Sequence, residues 1–361
     1  MFEAPTEWIS PESFPDLKDH KYIAIDLETR DPDLKSRGSG SIIGNGEIVG
    51  ISVAVEGWSG YYSFGHAEGN FFDKEVVMRW IKEVCALPNV KLFHNAMYDV
   101  CWLRAYGVKI NGHIVDTMVM ASLIDENRFH YSLNSLSIDY LGQVKDETAL
   151  RAAAERAGVD AKAEMWKLPA MYVGLYAEKD AELTLSLFKK LSVEIKKQDL
   201  TKVFDLETQL FPCLIDMKFK GVRVDVQKAH TIKQKLAAQE ESLLLEVKKE
   251  TGIEPQIWAA RSIAKVFDKL GLNYVRTAKT QAPSFTKNFL QEHKNPIVNK
   301  IAKAREINKA HTTFIDTIIK YEHRGRIHAD INPIRGDSGG TVTGRFSYSN
   351  PNLQQIPARN K

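Results

Sequence analysis

The stretch YIAIDLE at Tyr22–Glu28 joins an apolar β-type run to two carboxylates. Residues two apart in a strand point the same way, so Asp26 and Glu28 can project from the end of this strand towards one point. Two convergent carboxylates need a cation, and hard divalent ions such as Mg²⁺ or Mn²⁺ prefer oxygen ligands. The stretch therefore predicts a strand that ends at a metal site, although an Asp-x-Glu pair by itself is also common at solvated strand ends.

The segments around this strand alternate in type. Ile48–Val55 and Gly60–Phe64 are β-type runs that predict an antiparallel meander with the first strand. Asp73–Ala86 and Ala96–Tyr106 have helical spacing and flank a short buried strand at Val90–Phe93. A sheet flanked by helices predicts an α/β domain.

Helical patterns dominate from Asp116 onward, and strands are not expected again until the C-terminal tail. The predicted helices are Asp116–Ile124, Ser132–Leu141, Asp146–Ala157, Pro169–Lys197, Val203–Lys220, Val226–Thr251, Ala259–Leu270 and Asn295–Tyr321. Gly, Pro, Asn and Ser then dominate the tail, which has short β-type pieces such as Arg326–Ile331. These changes predict an irregular lead-in at residues 1–20, an α/β domain at 21–198, a helical region at 199–323 and a C-terminal segment at 324–361.

Two further motifs can contribute carboxylates to the predicted metal site. Asn95 and Asp99 follow the short buried strand, with Asn95 at the position of a helix cap and Asp99 one turn further in. Tyr176 and Asp180 are four residues apart in a long predicted helix and therefore share a face, where the phenol could hold a water beside a bound metal. Either motif alone also fits an ordinary cap or a surface carboxylate.

The three motifs in this order resemble those of the DEDD 3′-5′ exonucleases, tyrosine subclass, which have a ribonuclease-H-like fold. The segments between them, Asp116–Met118, Ser132–Leu136 and Tyr140–Gly142, are also similar to that family. The resemblance implies that residues 21–198 form a 3′-5′ exonuclease domain. It implies two divalent metal ions, Mg²⁺ or Mn²⁺, held by four carboxylates, a tyrosine that orients the attacking water, and two contacts to the 3′-terminal nucleotide. The implied metal ligands are Asp26, Glu28, Asp99 and Asp180, the tyrosine is Tyr176, and the nucleotide contacts are Thr29 and Asn95.

The segment TVTGRFSYSNPNLQQIP at Thr341–Pro357 resembles the thumb-to-palm segment of family A DNA polymerases, the bacterial DNA polymerase I and phage type. Leu206–Glu207, Gly221–Asp225 and Gly325–His328 also fall in the order of that family. The resemblance implies a helical thumb region at residues 199–323 and the first short strands of a palm at 324–361. Both would hold a primer-template duplex through phosphate contacts that do not read sequence. The implied DNA-binding residues are Lys279, Arg305, Thr343, Arg345, Asn352 and Gln354.

Charge is unevenly distributed along the 361-residue chain. The net charge is +3, yet residues 1–200 carry 22 basic against 30 acidic side chains, and residues 261–361 carry 18 basic against 7 acidic. With 43% hydrophobic and 26% charged residues the composition excludes a disordered chain, and no apolar run has membrane-spanning length. The three widely spaced cysteines are expected to be buried thiols of a reducing compartment. We therefore expect a multidomain protein in the cytoplasm of a bacterium or a phage-infected cell.

The palm motifs that carry the carboxylates for nucleotide addition are not found before Lys361. We therefore expect a proofreading exonuclease and DNA-binding portion of a replicative polymerase, with no nucleotidyl transfer by this chain alone. The portion would be either naturally split from a separate palm-fingers chain or truncated. Two alternatives stay open: a stand-alone DEDD exoribonuclease, which has no reason to carry Thr343–Pro357, and a mainly non-catalytic primer-template clamp for a palm-fingers partner.

Overall fold

The structure is a computed structural model that describes residues 6–337 and 339–356. Within these ranges the helices are α1 (Leu34–Arg37), α2 (Gly40–Ile43), α3 (Lys74–Ala86), α4 (Ala96–Ala105), α5 (Thr117–Ile124), α6 (Leu133–Leu141), α7 (Thr148–Ala157), α8 (Ala170–Lys197), α9 (Thr201–Lys220), α10 (Val226–Thr251), α11 (Ala260–Lys269), α12 (Lys287–Gln291), α13 (Pro296–Lys309) and α14 (Asp316–Tyr321). The strands are β1 (Tyr22–Arg30), β2 (Glu47–Val55), β3 (Trp58–Ser63), β4 (Val90–Phe93), β5 (Ile114–Asp116), β6 (Val222–Arg223), β7 (Val275–Arg276), β8 (Pro283–Ser284), β9 (Glu322–His323), β10 (Arg326–Ile327), β11 (Asp330–Asn332) and β12 (Ser347–Ser349). Two compact units result: a larger one up to Gly221 together with His328–Asn352, and a smaller one at Val222–Ile327 together with the described residues from Leu353.

The larger unit is built on a five-stranded sheet with strand order β3-β2-β1-β4-β5. β1, β2 and β3 pair antiparallel, which confirms the predicted meander, and β4 and β5 extend the sheet in parallel from β1. The sequence prediction lacks β5, because a three-residue strand is too short to show an alternating pattern. The predicted α/β class of this part is confirmed.

The two faces of β1 meet different helices. Ile23, Ile25 and Leu27 pack into the apolar cluster that includes residues of α3 and α4. Ala24 packs into the other cluster, which includes Ala181 of α8. Because Asp26 and Glu28 share the face of Ala24, the alternation of β1 directs both carboxylates to the side of the sheet that α8 covers.

Gly50 of β2 pairs with Glu28 across the sheet. A Cβ at this position would lie 2.0 Å from the phenol oxygen of Tyr61, so only glycine leaves room for that ring. The pairing changes register directly after Glu28, between Glu28 and Thr29. The irregularity therefore coincides with the point where β1 presents its second carboxylate.

The smaller unit is mainly helical, with α10–α13 around a core that includes Val247, Phe267 and Ile301. It also contains a three-stranded sheet of order β6-β10-β9 and the hairpin β7-β8. These two-residue strands were not expected in a helical region, since they are too short to interrupt a helical pattern in the sequence. The predicted helix at Asn295–Tyr321 is observed as α13 and α14 joined by a π-helical turn at Ala310–Ile315.

β11 and β12 form an antiparallel pair in the larger unit. Lys218 of α9, 6% exposed, donates to Asp330 of β11 at 2.7 Å, and Asp337 accepts a hydrogen bond from the backbone of Tyr131. The predicted strand at Arg326–Ile331 is thus divided between β10 and β11, which belong to different units.

The structural division falls after Gly221 and after Ile327, so the domain limits drawn at 198 and 323 stay predictions. Of the expected palm segment, Ser338 and residues 357–361 lie outside the described residues. Cys85 and Cys101 are buried as expected, whereas Cys213 is exposed, because it lies on a solvent-facing position of α9. No helix in the described parts of the chain combines the length and the apolar character needed to cross a membrane.

Candidate metal centre

Asp26, Glu28 and Asp180 meet where β1 passes under α8. One carboxylate oxygen of each lies within 4.8 Å of the corresponding oxygens of the others. Glu28 and Asp180 are each 8% exposed. Two oxygens that share one Mg²⁺ ion are at most about 4 Å apart, so small side-chain movements suffice for this cluster to hold an ion. Three of the four predicted ligands are therefore brought together.

Asp99, the fourth predicted ligand, lies in the first turn of α4 and is 4% exposed. Burial raises its pKa well above the usual value, and the charge of Asp26 raises it further. A backbone hydrogen bond from Leu27 acts in the opposite direction. Asp99 is thus close enough to interact electrostatically with the cluster but does not belong to the set of three convergent oxygens.

Burial also raises the pKa of each carboxyl group in the cluster. For Asp26 the pKa rises to about 8, first because of desolvation and then because of Asp180. The pKa of Glu28 lies well above its usual value for the same first reason, with Asp26 as the second. Like charges that are held together without water favour protons or cations, so the cluster has the electrostatic character of a cation site.

Lys145 places a cation beside this cluster. Its ammonium contacts Asp180 Oδ1 and lies 3.7 Å from the centre of the Tyr176 ring. The Lys145 side chain is only 4% exposed, although the irregular segment between α6 and α7 that carries it is otherwise largely exposed. The sequence analysis missed Lys145, because a single lysine in a polar segment has no distinguishing pattern before the segment folds against α8.

Tyr176 is one turn before Asp180 on α8, as the spacing predicted. Desolvation, followed by the charge of Asp180, raises its pKa, so the phenol stays protonated at neutral pH. A hydrogen bond from Tyr176 and the ion pair with Lys145 both oppose the rise that burial causes in the pKa of Asp180. Tyr176 therefore acts as a hydrogen-bond donor at the cluster.

Asp116, at the end of β5, fixes the start of the helix that carries Asp99. Asn95 occupies the cap position of α4 as predicted, but it has a left-handed φ of 66° and its side chain does not cap the helix. Asp116 instead accepts the backbone N–H groups of Asn95 at 3.0 Å and Ala96 at 2.8 Å, and also caps α5 through Met118 at 2.8 Å. Burial raises the pKa of Asp116 to about 6 against these hydrogen bonds.

The two predicted nucleotide contacts differ in their surroundings. The Thr29 hydroxyl lies 2.6 Å from the Tyr98 phenol oxygen, and Tyr98 also donates to Asp31 at 3.2 Å. Asn95 is exposed and lines a cavity of about 330 Å³ together with Tyr98 and Lys35.

The predicted DNA-binding residues are distributed over both units: Lys279, Arg305 and Gln354 belong to the smaller one, and Thr343, Arg345 and Asn352 to the larger one. All except Arg305 are exposed. Arg305 donates to the carbonyls of Ile257 at 2.6 Å and Phe285 at 2.7 Å, so its guanidinium connects segments within the smaller unit. Lys279 lies in the turn between β7 and β8.

Comparisons with known proteins agree with the motifs. The chain is 32% identical to the DNA-directed DNA polymerase of Pseudomonas phage M6, over 99% of this chain and 56% of that protein. It is 30% identical to DNA polymerase DpoZ of Salmonella phage PMBT28, over 96% of this chain and 57% of that protein. With DNA polymerase I of Pseudomonas aeruginosa the identity is 26%, over 95% of this chain and 37% of that protein. The chain therefore spans little more than half the length of its phage relatives.

A solved structure supports the fold. The polymerase domain of Pol1 from M. smegmatis, in complex with DNA primer-template and dNTP, is similar with a TM-score of 0.69 and 18% sequence identity, over 95% of this chain and 54% of that one. The 3′-5′ exonuclease family matches residues 10–196, which is more than half of the chain, and DNA polymerase family A matches residues 226–361. The chain therefore belongs to the 3′-5′ exonuclease family, and its C-terminal part matches the model of DNA polymerase family A.

Proposed function

We propose that this chain is a Mg²⁺- or Mn²⁺-dependent 3′-5′ exodeoxyribonuclease that acts as the proofreading portion of a DNA polymerase. The observation that carries the proposal is the convergence of Asp26, Glu28 and Asp180 within 4.8 Å, inside the segment that matches the 3′-5′ exonuclease family. The predicted domains, an exonuclease at 21–198, a thumb at 199–323 and a palm entry at 324–361, are supported by the family matches at 10–196 and 226–361.

The donor set suits divalent cations. The convergent ligands are carboxylate oxygens, the type that Mg²⁺ and Mn²⁺ prefer, and the ammonium of Lys145 is already held against one of them. Asp26, Glu28, Asp99 and Asp180 would hold the ions. Two bound ions supply a water of lowered pKa and stabilise the attacking and departing oxygens of an in-line displacement at phosphorus.

The side chains of the chain itself position the reactants. The protonated phenol of Tyr176, fixed against Asp180, orients the attacking water. The water oxygen forms a bond to phosphorus while the bond from phosphorus to the 3′ oxygen of the preceding nucleotide breaks. That oxygen keeps the electron pair and takes up a proton, which leaves a 3′ hydroxyl and releases a nucleoside 5′-monophosphate. Thr29 and Asn95 hold the terminal nucleotide during this step.

Hydrolysis of a labelled single strand tests the proposal. We expect purified chain to shorten 5′-labelled single-stranded DNA from its 3′ end with Mg²⁺ or Mn²⁺ and to be inactive in EDTA. The Asp26→Ala/Glu28→Ala double variant should lose this activity. An intact strand in the presence of metal, or full activity of the double variant, would rule out the proposed catalysis, and faster degradation of a matched RNA would favour an exoribonuclease.

Nucleotide addition requires a palm and fingers. We propose that a further part of the polymerase supplies them, and that in the split arrangement this part is a separate chain. The match of residues 226–361 to DNA polymerase family A supports the binding of primer-template DNA by this part of the chain. The test is to mix the chain with a palm-fingers polypeptide and to measure incorporation on a primer-template. Restored synthesis is the expected result, and its absence with an otherwise folded pair would contradict a natural split.

A further inference from the structure

We propose that Lys145 is the resident counter-ion of the carboxylate cluster, bound to Asp180 in the metal-free chain and released into solvent when a divalent ion takes that carboxylate. The inference rests on the proposed function, because it concerns the same site. It assigns to Lys145 the role of a positioning residue for the metal-free state rather than that of a catalytic residue.

The first argument is geometric. The Lys145 ammonium contacts Asp180 Oδ1, and Asp180 is one of the three groups whose oxygens lie within 4.8 Å of one another. Lysine is cationic at neutral pH and has three donors but no acceptor. The ammonium lies against a carboxylate and 3.7 Å from the centre of the Tyr176 ring. Both groups attract a cation, so this is a position that suits one.

The second argument is electrostatic. A divalent ion on the oxygens of Asp180 would come within a few ångströms of the ammonium, and the repulsion between them is twice that between two single charges. The charges facing Lys145 from neighbouring elements are Asp26, Glu28 and Asp180, together with Lys162, which pairs with Glu147 at 3.1 Å. Two divalent ions would neutralise the attraction that holds the ammonium in place, so metal and Lys145 compete for Asp180.

The third argument is the exposure of the segment that carries Lys145. Gln143, Val144 and Asp146 are exposed and belong to neither α6 nor α7, so Lys145 is the buried residue of an otherwise exposed segment. The residues on both sides of Lys145 along the chain therefore face solvent. Lys91 of β4 is a buried lysine of a different kind: it is 0% exposed and donates to the carbonyls of Asn89 at 3.0 Å and Asn111 at 3.2 Å, with no carboxylate among these acceptors. Metal should therefore leave Lys91 in place.

Lysine labelling of the unmodified full chain tests the release. The chain is treated with an amine-acetylating reagent in EDTA and in saturating Mg²⁺, and acetylation of each lysine is measured by mass spectrometry. We expect Lys145 to be protected in EDTA and to react at least about tenfold faster with Mg²⁺, within the range of common coupling effects. Lys91 should stay protected in both conditions and the half-exposed Lys179 should react in both. Binding of Mg²⁺ to the same chain is measured by calorimetry. If the chain binds Mg²⁺ and Lys145 stays protected, the inference is overturned and the proposed function stays intact. If the chain does not bind Mg²⁺, the proposed function itself is contradicted.

A variant gives an independent measurement. Lys145→Met should lower the melting temperature in EDTA, because the cluster loses its counter-ion, and Mg²⁺ should restore most of that loss. The matched control Lys167→Met removes a half-exposed lysine that pairs with Glu164, and it should change the melting temperature little in either condition. An equal loss for Lys145→Met with and without Mg²⁺ would show a purely structural lysine and overturn the inference.

Discussion

The carboxylate cluster of the larger unit and the surface of the smaller unit use charge in opposite ways. Glu28, Asp99 and Asp180 are each 8% exposed or less. Lys279, in the predicted thumb region, is exposed, and the ion pair Lys248–Glu254 of the same unit has side chains that are 50% and 73% exposed. Buried charges interact strongly and shift each other's pKa, whereas exposed charges are screened by water and salt. A single charge change should therefore have a large effect in the cluster and a small, additive one on the smaller unit.

The largest effect is expected for Asp180→Asn. Asp180 is a proposed metal ligand, and without its charge hydrolysis of single-stranded DNA should fall by about 10³-fold, as is common for groups that act as one catalytic unit. Asp139→Asn, a change at a carboxylate that pairs with Arg128 and is 49% exposed, is the control and should keep its activity. Hydrolysis rates of both variants are measured at saturating Mg²⁺. If the Asp180→Asn chain is as active as the control, a charge change in the buried cluster has no larger effect than one at an exposed carboxylate.

A smaller effect is expected for Asp116→Ala, which leaves three backbone N–H groups at the starts of α4 and α5 without their acceptor. We expect a loss of about 1–3 kcal/mol in the free energy of unfolding, together with reduced hydrolysis, because the helix that carries Asp99 loses its fixed start. Asp73→Ala is the matched control, since Asp73 is an exposed cap of α3. It should lower stability by about 1 kcal/mol and leave hydrolysis unchanged. Urea unfolding and hydrolysis rates measure both, and equal activity loss in the two variants would contradict a specific role of Asp116.

The stability of the metal-free chain should depend on pH with a definite sign. The pKa of Asp26 is raised from an ordinary 3.8 to about 8, so the folded state favours its neutral form. The contribution of this protonated carboxyl to the free energy of unfolding is fully present below its ordinary pKa. It is lost as the pH rises through the raised pKa of the folded state. In EDTA the melting temperature should therefore fall between about pH 5 and pH 8.5, by about 2–4 °C for each kcal/mol lost.

Saturating Mg²⁺ should reduce this fall, because bound cations replace the protons. The Asp26→Asn/Glu28→Gln double variant should also flatten the dependence. A melting temperature in EDTA that stays level or rises over this pH range would show that the buried carboxylates of the cluster do not repel one another as expected.

The smallest effect is expected for Lys279→Ala in the turn between β7 and β8. Loss of one phosphate contact should weaken primer-template binding by a few-fold and reduce the slope of log affinity against log salt by about 0.9. Hydrolysis of single-stranded DNA should not change. Lys249→Ala on α10 is the matched control, because Lys249 is exposed but lies outside the family motifs. Binding is measured by fluorescence anisotropy at several salt concentrations. Equal slopes of log affinity against log salt for the two variants would show that Lys279 does not contact DNA.

Much of the candidate site could be predicted because its elements are local. The period of a strand places Asp26 and Glu28 on one face, and the period of a helix places Tyr176 and Asp180 on one face, whatever else surrounds them. The resemblance of these motifs to those of the DEDD 3′-5′ exonucleases then implied that the elements meet. The position of Asn95 as the first residue before α4 was predicted for the same reason.

Other parts could not be predicted from local patterns. Asp116 replaces the side chain of Asn95 as the cap of α4, because β5 ends beside that helix and Asn95 has a left-handed backbone. Arg305, predicted as a DNA contact, donates to two carbonyls that are 48 and 20 residues away in the chain. Both roles depend on which segments pack together, and no short-range pattern encodes that.

The sequence by itself predicted the α/β class of the first part, four candidate carboxylates and the family resemblance of both parts, because strand and helix periods and motif order survive without tertiary contacts. Only the tertiary structure decided that three of the carboxylates converge while Asp99 stays beside them. It also decided that Lys145 is buried against Asp180, because burial of a charge depends on the packing of distant segments, and that packing removes the water that would otherwise screen it.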